Sequence, residues 1–193
     1  MVTKLYFVRH ADPNYDNHND YERELSAKGL LDRHLVSDFL KDKPITAVFS
    51  SPYVRAVETI RPFAESRRLS IQVDDDFRER RITDQWIADF KSFSEQQWQD
   101  FSYKLEGGES LSEVQERNIR ALERLLVDFA GQELVIGSHG TALSTIIHYF
   151  DPSFSYVDFE KIKGLMPWLV CLTFEGQHCL SIESINLFEK KTR

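Results

Sequence analysis

The chain has little cysteine, no long apolar run and no excess of basic charge, and each shortage removes a class of function. Its 193 residues include only two cysteines, Cys171 and Cys179, too few for a disulfide scaffold and without the pair-of-pairs spacing of a zinc site. Reduced thiols are expected. Both lie on apparent strands around the turn Glu175-Gly176-Gln177, which leaves a cross-strand neighbour relation open. No apolar run reaches the roughly 20 residues that span a bilayer, and Met1-Val2-Thr3-Lys4 leads into an apparent strand instead of a secretion signal. A cytoplasmic protein without membrane contact is the expectation. With 24 Lys and Arg against 31 Asp and Glu, the net charge is −7 and the pI near 5.4. That balance excludes a broad footprint for nucleic acid or anionic membrane, while a local basic pocket stays open.

What is present is the patterning of one α/β domain spanning residues 1–193, with no linker, repeat or low-complexity segment and 41% hydrophobic residues. A chain of this length buries roughly 70% of its unfolded surface. Leu5-Tyr6-Phe7-Val8, Ala47-Val48-Phe49, Ile71-Gln72-Val73 and Leu134-Val135-Ile136 read as short strands buried on both faces. Between them lie helical patterns. One runs from an N-cap at Ser26 to Leu40, and a second is opened by Ser51 as cap with Pro52 at the first helical position. A third begins at a capping box formed by Ser110 and Glu113, and a fourth contains Leu143, Ile146 and Ile147. Trp168–Phe174 and Cys179–Ile185 read as a closing strand pair around Gly176. The alternation predicts a three-layer α/β/α sandwich with a mostly parallel central sheet, whose ligand sites lie beyond the carboxyl ends of the strands. An aromatic-rich stretch at about 82–105 is expected to form a helical insertion on the substrate side. Its Trp86, Phe90, Phe93, Trp98, Phe101 and Tyr103 are candidates either for core packing or for a pocket lid.

Two histidines, His10 and His139, each fall just past an apolar strand, and Arg9 and Arg55 occupy a strand end and a first helical turn. The sheet rule brings all four to one edge. Such a cluster suits a phosphate dianion, because guanidinium groups donate paired hydrogen bonds to its oxygens and imidazoles donate or attack. The alternative for Arg55 is a helical pair with Glu58 one turn on.

Phe7-Val8-Arg9-His10, Leu25-Ser26-Ala27-Lys28-Gly29, Ser51-Pro52-Tyr53-Val54-Arg55-Ala56-Val57-Glu58-Thr59, Phe77-Arg78-Glu79-Arg80, Gly108-Glu109-Ser110 and Ser138-His139-Gly140 occur in that order along nearly the whole chain. In these segments the sequence resembles the histidine phosphatase, or phosphoglycerate mutase-like, superfamily. The resemblance implies a phosphoglycerate mutase-like fold and a metal-independent phosphatase of the histidine acid phosphatase type that needs no cofactor. By the same resemblance His10 is the histidine that becomes phosphorylated, Arg9, Arg55 and His139 clamp the transferred phosphoryl oxygens, and Glu79 gives a proton to the leaving alkoxide. Phosphoryl transfer asks for in-line positioning and charge stabilisation above all, and a phosphohistidine lets one imidazole act first as nucleophile and later as leaving group. The ring nitrogen of His10 opposite the nucleophile is expected to donate to a backbone carbonyl or a similar acceptor.

The chain departs from the family pattern at three places. Ala11 stands where glycine is common, which would be penalised if that backbone needed φ > 0. Pro13 and Asp16 stand where several relatives carry serine and asparagine, so Asn14 or Asn17 is the candidate substitute phosphate donor. Arg81-Ile82-Thr83-Asp84-Gln85-Trp86 replaces a glycine-tryptophan-glutamate-glycine type segment, with Arg80 and Arg81 as candidate contacts to a second anionic group. These departures favour hydrolysis of a small phosphorylated metabolite over mutase-type transfer to another hydroxyl. A protein phosphatase and a silent phosphate-binding module are the further alternatives.

Overall fold

The computed structural model of the protein describes residues 1–83 and 87–189. The expected apolar runs form β1 (Val2–Arg9), β2 (Ile45–Ser50), β3 (Ile71–Val73), β4 (Glu133–Ser138), β5 (Trp168–Glu175) and β6 (His178–Ile185). They make one sheet in the order β3-β2-β4-β1-β5-β6. The first four strands run parallel, and β5 and β6 add antiparallel at one edge. The helices are α1 (Ala27–Leu40), α2 (Val54–Ser66), α3 (Phe90–Gln99), α4 (Leu111–Asp128), α5 (Gly140–Phe150) and α6 (Tyr156–Ile162).

The period-two alternation of β1 explains the three layers. Leu5 and Phe7 join a cluster with Leu122 and Leu126 of α4 and Leu143 and Ile146 of α5. Tyr6 and Val8 join the opposite cluster with Val36 and Leu40 of α1 and Ile60 and Phe63 of α2. A strand covered on both faces has no solvent side, which is why its sequence reads as a continuous apolar run.

Close backbone approach fixes how α1 docks. Ser26 caps it, accepting from the Gly29 amide at 3.0 Å, and its hydroxyl donates to Asp12 Oδ2 at 2.6 Å. A Cβ on Gly29 would lie 2.1 Å from the Asp12 carbonyl oxygen, so only glycine fits there. This accounts for the spacing of Leu25-Ser26-Ala27-Lys28-Gly29.

One sequence expectation is revised. Ser51 does not cap α2 and Pro52 is not its first residue: the helix starts at Val54 with Tyr53 at the cap position, and Ser51 is drawn into the strand-end cluster described below. The short helix α6 has no counterpart in the sequence reading. Cys171 and Cys179 are free and not cross-strand partners, since Cys171 lies opposite Glu183 and Cys179 opposite Phe174. In the insertion, α3 packs inward. Phe93 is buried against Tyr103, and Trp98 contacts Phe101, His148, Phe154 and Phe159. Phe90 is exposed, while Asp84 and Trp86 lie outside the described residues.

The capping box of α4 forms as read, with the Glu113 amide donating to Ser110 Oγ at 3.2 Å and the Ser110 amide to Glu113 Oε2 at 2.8 Å. Ser110→Ala is expected to lower unfolding stability by about 1 kcal/mol. Urea unfolding monitored by circular dichroism checks this, and an unchanged midpoint contradicts it.

Candidate active site

The register of three adjacent parallel strands builds the site. Strand β4 lies between β1 and β2, with Arg9 opposite Ser138 and Ser50 opposite Gly137. The next residue on each strand is therefore His10, His139 and Ser51, delivered to one edge. Gly137 is required by this crowding, because a Cβ there would meet Ser50 Oγ at 2.7 Å.

His10 is buried, and its Nδ1 lies 2.8 Å from the Ala11 carbonyl oxygen. A carbonyl only accepts, so Nδ1 carries the proton and Nε2 keeps its lone pair. Burial, then the charges of Arg55 and Arg9, hold the His10 pKa well below its ordinary value. The ring is thus neutral at physiological pH, as a nitrogen nucleophile must be. Ala11 itself is buried and donates its amide to Thr59 Oγ1 at 2.9 Å. The only non-glycine residue with positive φ among the described residues is Arg68, so Ala11 carries no backbone strain and replaces glycine freely.

His139 packs edge-to-face on His10 with ring centroids 5.3 Å apart, and Tyr53 covers it at 5.1 Å. Its Nε2 is 2.7 Å from Ser51 Oγ, while its Nδ1 is buried without a protein partner. Burial, then the charge of Arg55, keeps its pKa well below the ordinary value.

The two arginines are held differently. Arg9 Nη1 donates to the Ile162, Lys163 and Leu165 carbonyls at the end of α6, at 2.9, 2.9 and 3.3 Å. Its Nε is buried without a protein partner. A Cβ on Gly140 would stand 3.0 Å from that Nε, so the glycine of Ser138-His139-Gly140 makes room for the guanidinium. Buried Arg55 does not pair with Glu58, whose Oε2 accepts from the Leu25 amide at 3.1 Å. Arg55 pairs with Asp20 instead: Nη2 lies 3.1 Å from Oδ1 and Nη1 donates to the Asp20 carbonyl.

Glu79 reaches the N-terminus of α5. Its Oε1 accepts from the Arg80 and Ala142 amides at 2.8 and 3.0 Å, and its Oε2 from the Thr141 amide at 3.0 Å. The helix N-terminus and its orphan amides favour a carboxyl group at this point. A buried network holds the loop that carries it. Arg117 donates to the Asp76, Arg78 and Glu79 carbonyls at 2.8, 2.8 and 3.2 Å, and through Nε to Glu109 at 2.9 Å. Arg78 also reaches Glu109, at 2.7 Å.

Sequence reading missed Ser51 and Arg117 as site supports. The signal for Arg117 is a cation inside the apolar stripe of α4, three residues beyond Val114. Asn14 is engaged elsewhere, its Nδ2 donating to Glu24 Oε1 at 2.6 Å, and Asn17 reaches the same carboxylate at 2.8 Å. Arg80 is buried beside Phe90 and Phe93 with Nη1 on Gln97, so it serves packing instead of reaching a second anion. The Arg81 amide donates to Glu109 Oε2 at 3.0 Å. Among the described residues, no group of three or more His, Cys, Asp or Glu side chains is placed to hold a metal.

Against known proteins, the model for the histidine phosphatase superfamily, branch 1, matches residues 5–186. The chain belongs to the histidine phosphatase superfamily. It is 25% identical over 193 residues to an uncharacterized protein of Mycobacterium tuberculosis, covering 93% of this chain and 94% of that one. It is also 25% identical over 158 residues to the probable phosphoglycerate mutase GpmB of Yersinia pestis, covering 76% and 74%. Among solved structures, a mycobacterial glucosyl-3-phosphoglycerate phosphatase superposes with a TM-score of 0.76 at 18% identity, over 95% of this chain and 97% of the other. A mutant phosphoserine phosphatase of Entamoeba histolytica, solved with phosphoserine, gives 0.74 at 18%, over 93% and 96%. These likenesses establish the shared fold.

The neutral imidazoles give this member of the superfamily a pH signature. Above pH 6.5, the ordinary histidine value, neither native nor unfolded His10 and His139 is protonated. Below it the unfolded chain takes up protons that the native state refuses, so stability falls with pH until the lower native values are reached. Between pH 7.5 and 5.5 the two residues together are expected to cost about 1–3 kcal/mol. Urea unfolding at both pH values checks this, and His10→Gln combined with His139→Gln should flatten the dependence.

Proposed function

We propose that the protein hydrolyses phosphomonoesters of small metabolites through a phosphohistidine on His10. The observation that carries the proposal is the Nδ1–H bond to the Ala11 carbonyl, which leaves Nε2 as a neutral nucleophile beside two guanidinium groups and His139. Nε2 attacks phosphorus in line, the P–N bond forms as the P–O bond to the alcohol breaks, and Glu79 supplies the proton that the alkoxide needs. A phosphate dianion beside Glu79 favours its protonated form by like-charge repulsion, and because Oε1 accepts two amides and Oε2 only one, Oε2 is the oxygen assigned the transferable proton. Water then attacks phosphorus while giving a proton to the Glu79 carboxylate, the P–N bond breaks, and inorganic phosphate leaves with His10 restored and Glu79 protonated again. Arg9 Nε and His139 Nδ1, both buried without protein partners, are assigned to the phosphoryl oxygens, where preorganised donors act most strongly on the transition state. For Nδ1 of neutral His139 to donate, Ser51 must donate its hydroxyl to Nε2, which makes Ser51 a positioning residue. Asn14, bound to Glu24, is given no phosphate contact.

The similarity to a probable phosphoglycerate mutase supports a second reading, in which the same phosphohistidine passes its group to a hydroxyl. A panel of phosphorylated metabolites assayed for phosphate release decides between them, with His10→Ala as the control. Release that depends on His10 supports the hydrolase, transfer to an added hydroxyl acceptor without release supports the mutase, and wild-type release by His10→Ala contradicts both.

Because the assigned site works through side-chain cations, dialysis against a chelator is expected to leave turnover unchanged. Loss of activity that magnesium or manganese restores would contradict the mechanism. Glu79→Gln is expected to slow phosphorylation by an alkyl phosphate roughly 10²–10⁴-fold but to affect p-nitrophenyl phosphate far less, since its phenolate leaves unaided. Equal losses in single-turnover phosphorylation would remove Glu79 from the acid role.

A further inference from the structure

The guanidinium of Arg55, which the resemblance to the family assigns to phosphate, is already closed on an anion from its own chain. Nη2 meets Asp20 Oδ1 at 3.1 Å, Nη1 donates to the Asp20 carbonyl, and the same Oδ1 also takes Arg23 Nη1 at 3.1 Å. One carboxylate oxygen thus bridges two cations at the site. Arg55 and Arg23 are both among the charges that act on His10, so the bridged pair belongs to the electrostatic surroundings of the nucleophile. The two sides of the bridge differ in freedom. The Arg55 side chain is 4% exposed, whereas that of Asp20 is 49% exposed.

The loop that carries Asp20 does not depend on this carboxylate for its shape. Asn14 and Asn17 are tied to Glu24 at 2.6 and 2.8 Å. Asn19 Oδ1 accepts from the Tyr21 and Glu22 amides at 3.1 and 3.2 Å, and its Nδ2 donates to Glu22 at 3.0 Å. The Tyr21 carbonyl accepts from the Val54 amide at 3.1 Å, anchoring the loop at the start of α2. The carboxylate is therefore free to rotate into water while the loop stays seated.

We propose that Asp20 is a built-in competitor for the phosphate site, a carboxylate that occupies Arg55 until a phosphoryl group displaces it. This rests on the phosphate reading of the site and deepens it. A ligand must outcompete a tethered carboxylate, so apparent affinity falls by the fraction of time that Arg55 is uncovered. The factor is the same for every ligand that displaces the carboxylate, with inorganic phosphate, the product, among them. Product phosphate is thereby held less tightly than an uncovered Arg55 would hold it.

The test is binding of inorganic phosphate to the full-length protein by isothermal titration calorimetry, with Asp20→Asn and Asp20→Ala beside wild type. Both variants are expected to bind phosphate about tenfold tighter, as for a site otherwise covered about nine-tenths of the time. Asp16→Asn, which removes an exposed charge from the same loop, is expected to keep wild-type affinity. In an Arg55→Ala background the Asp20 substitution should have no effect. Unchanged or weaker phosphate binding by the Asp20 variants would make the carboxylate a mere support for Arg55 and overturn the proposal. Equal tightening by Asp16→Asn, or tightening that persists without Arg55, would overturn it as well. Failure of every variant to bind phosphate would instead overturn the phosphate reading on which it stands.

Discussion

The parallel pairing of β1 with β4 and of β4 with β2 is the constraint on which the rest of the molecule depends. These pairings carry Arg9 opposite Ser138 and Ser50 opposite Gly137, so the residues that follow them meet at one edge of the sheet. Slipping a strand by one residue would turn its inward and outward side chains over. The two apolar clusters on the faces of β1 resist that slip, and core packing thereby fixes the geometry of the site. Gly137 and Gly140 mark where the approach is tightest, one against Ser50 and the other against Arg9.

Burial at this edge acts differently on the two kinds of cationic side chain. It keeps His10 and His139 neutral, with the arginine charges adding to the effect. The guanidinium groups are held by oxygens the chain itself supplies: backbone carbonyls at the end of α6 for Arg9 and Asp20 for Arg55. The site thus contains fixed positive charge, neutral nitrogen and buried donors without partners, a combination suited to a phosphoryl group. Arg117 and Glu109 extend this order outward, holding the backbone that presents Glu79.

Much of this was legible in the sequence because it is local. A strand buried on both faces leaves an apolar run, a capping box leaves a serine and a glutamate three apart, and strand-end histidines follow such runs directly. What escaped is carried by backbone atoms or by distant partners. The carbonyls of Ile162, Lys163 and Leu165 have no side-chain signature, and the seven-residue α6 is too short to show a clear period. Asp20 meets Arg55 across 35 residues of sequence. Ser51 next to Pro52 carried a genuine capping pattern, but the buried imidazole of His139 took its hydroxyl. The glycine common in the family after the residue matching His10 is not demanded by the backbone, because Ala11 has an ordinary conformation and contributes its carbonyl and amide alone.

The central claim is that His10 Nε2 carries the phosphoryl group, and the most direct measurement is chemical trapping of that adduct. Enzyme mixed with a turned-over phosphomonoester, quenched in alkali within milliseconds and digested, should yield one phosphorylated peptide containing His10. The linkage should survive alkali and hydrolyse in acid, as a phosphoramidate does, and His10→Gln should yield none. Phosphate found on another residue, or a phosphopeptide that persists in His10→Gln, would contradict the account.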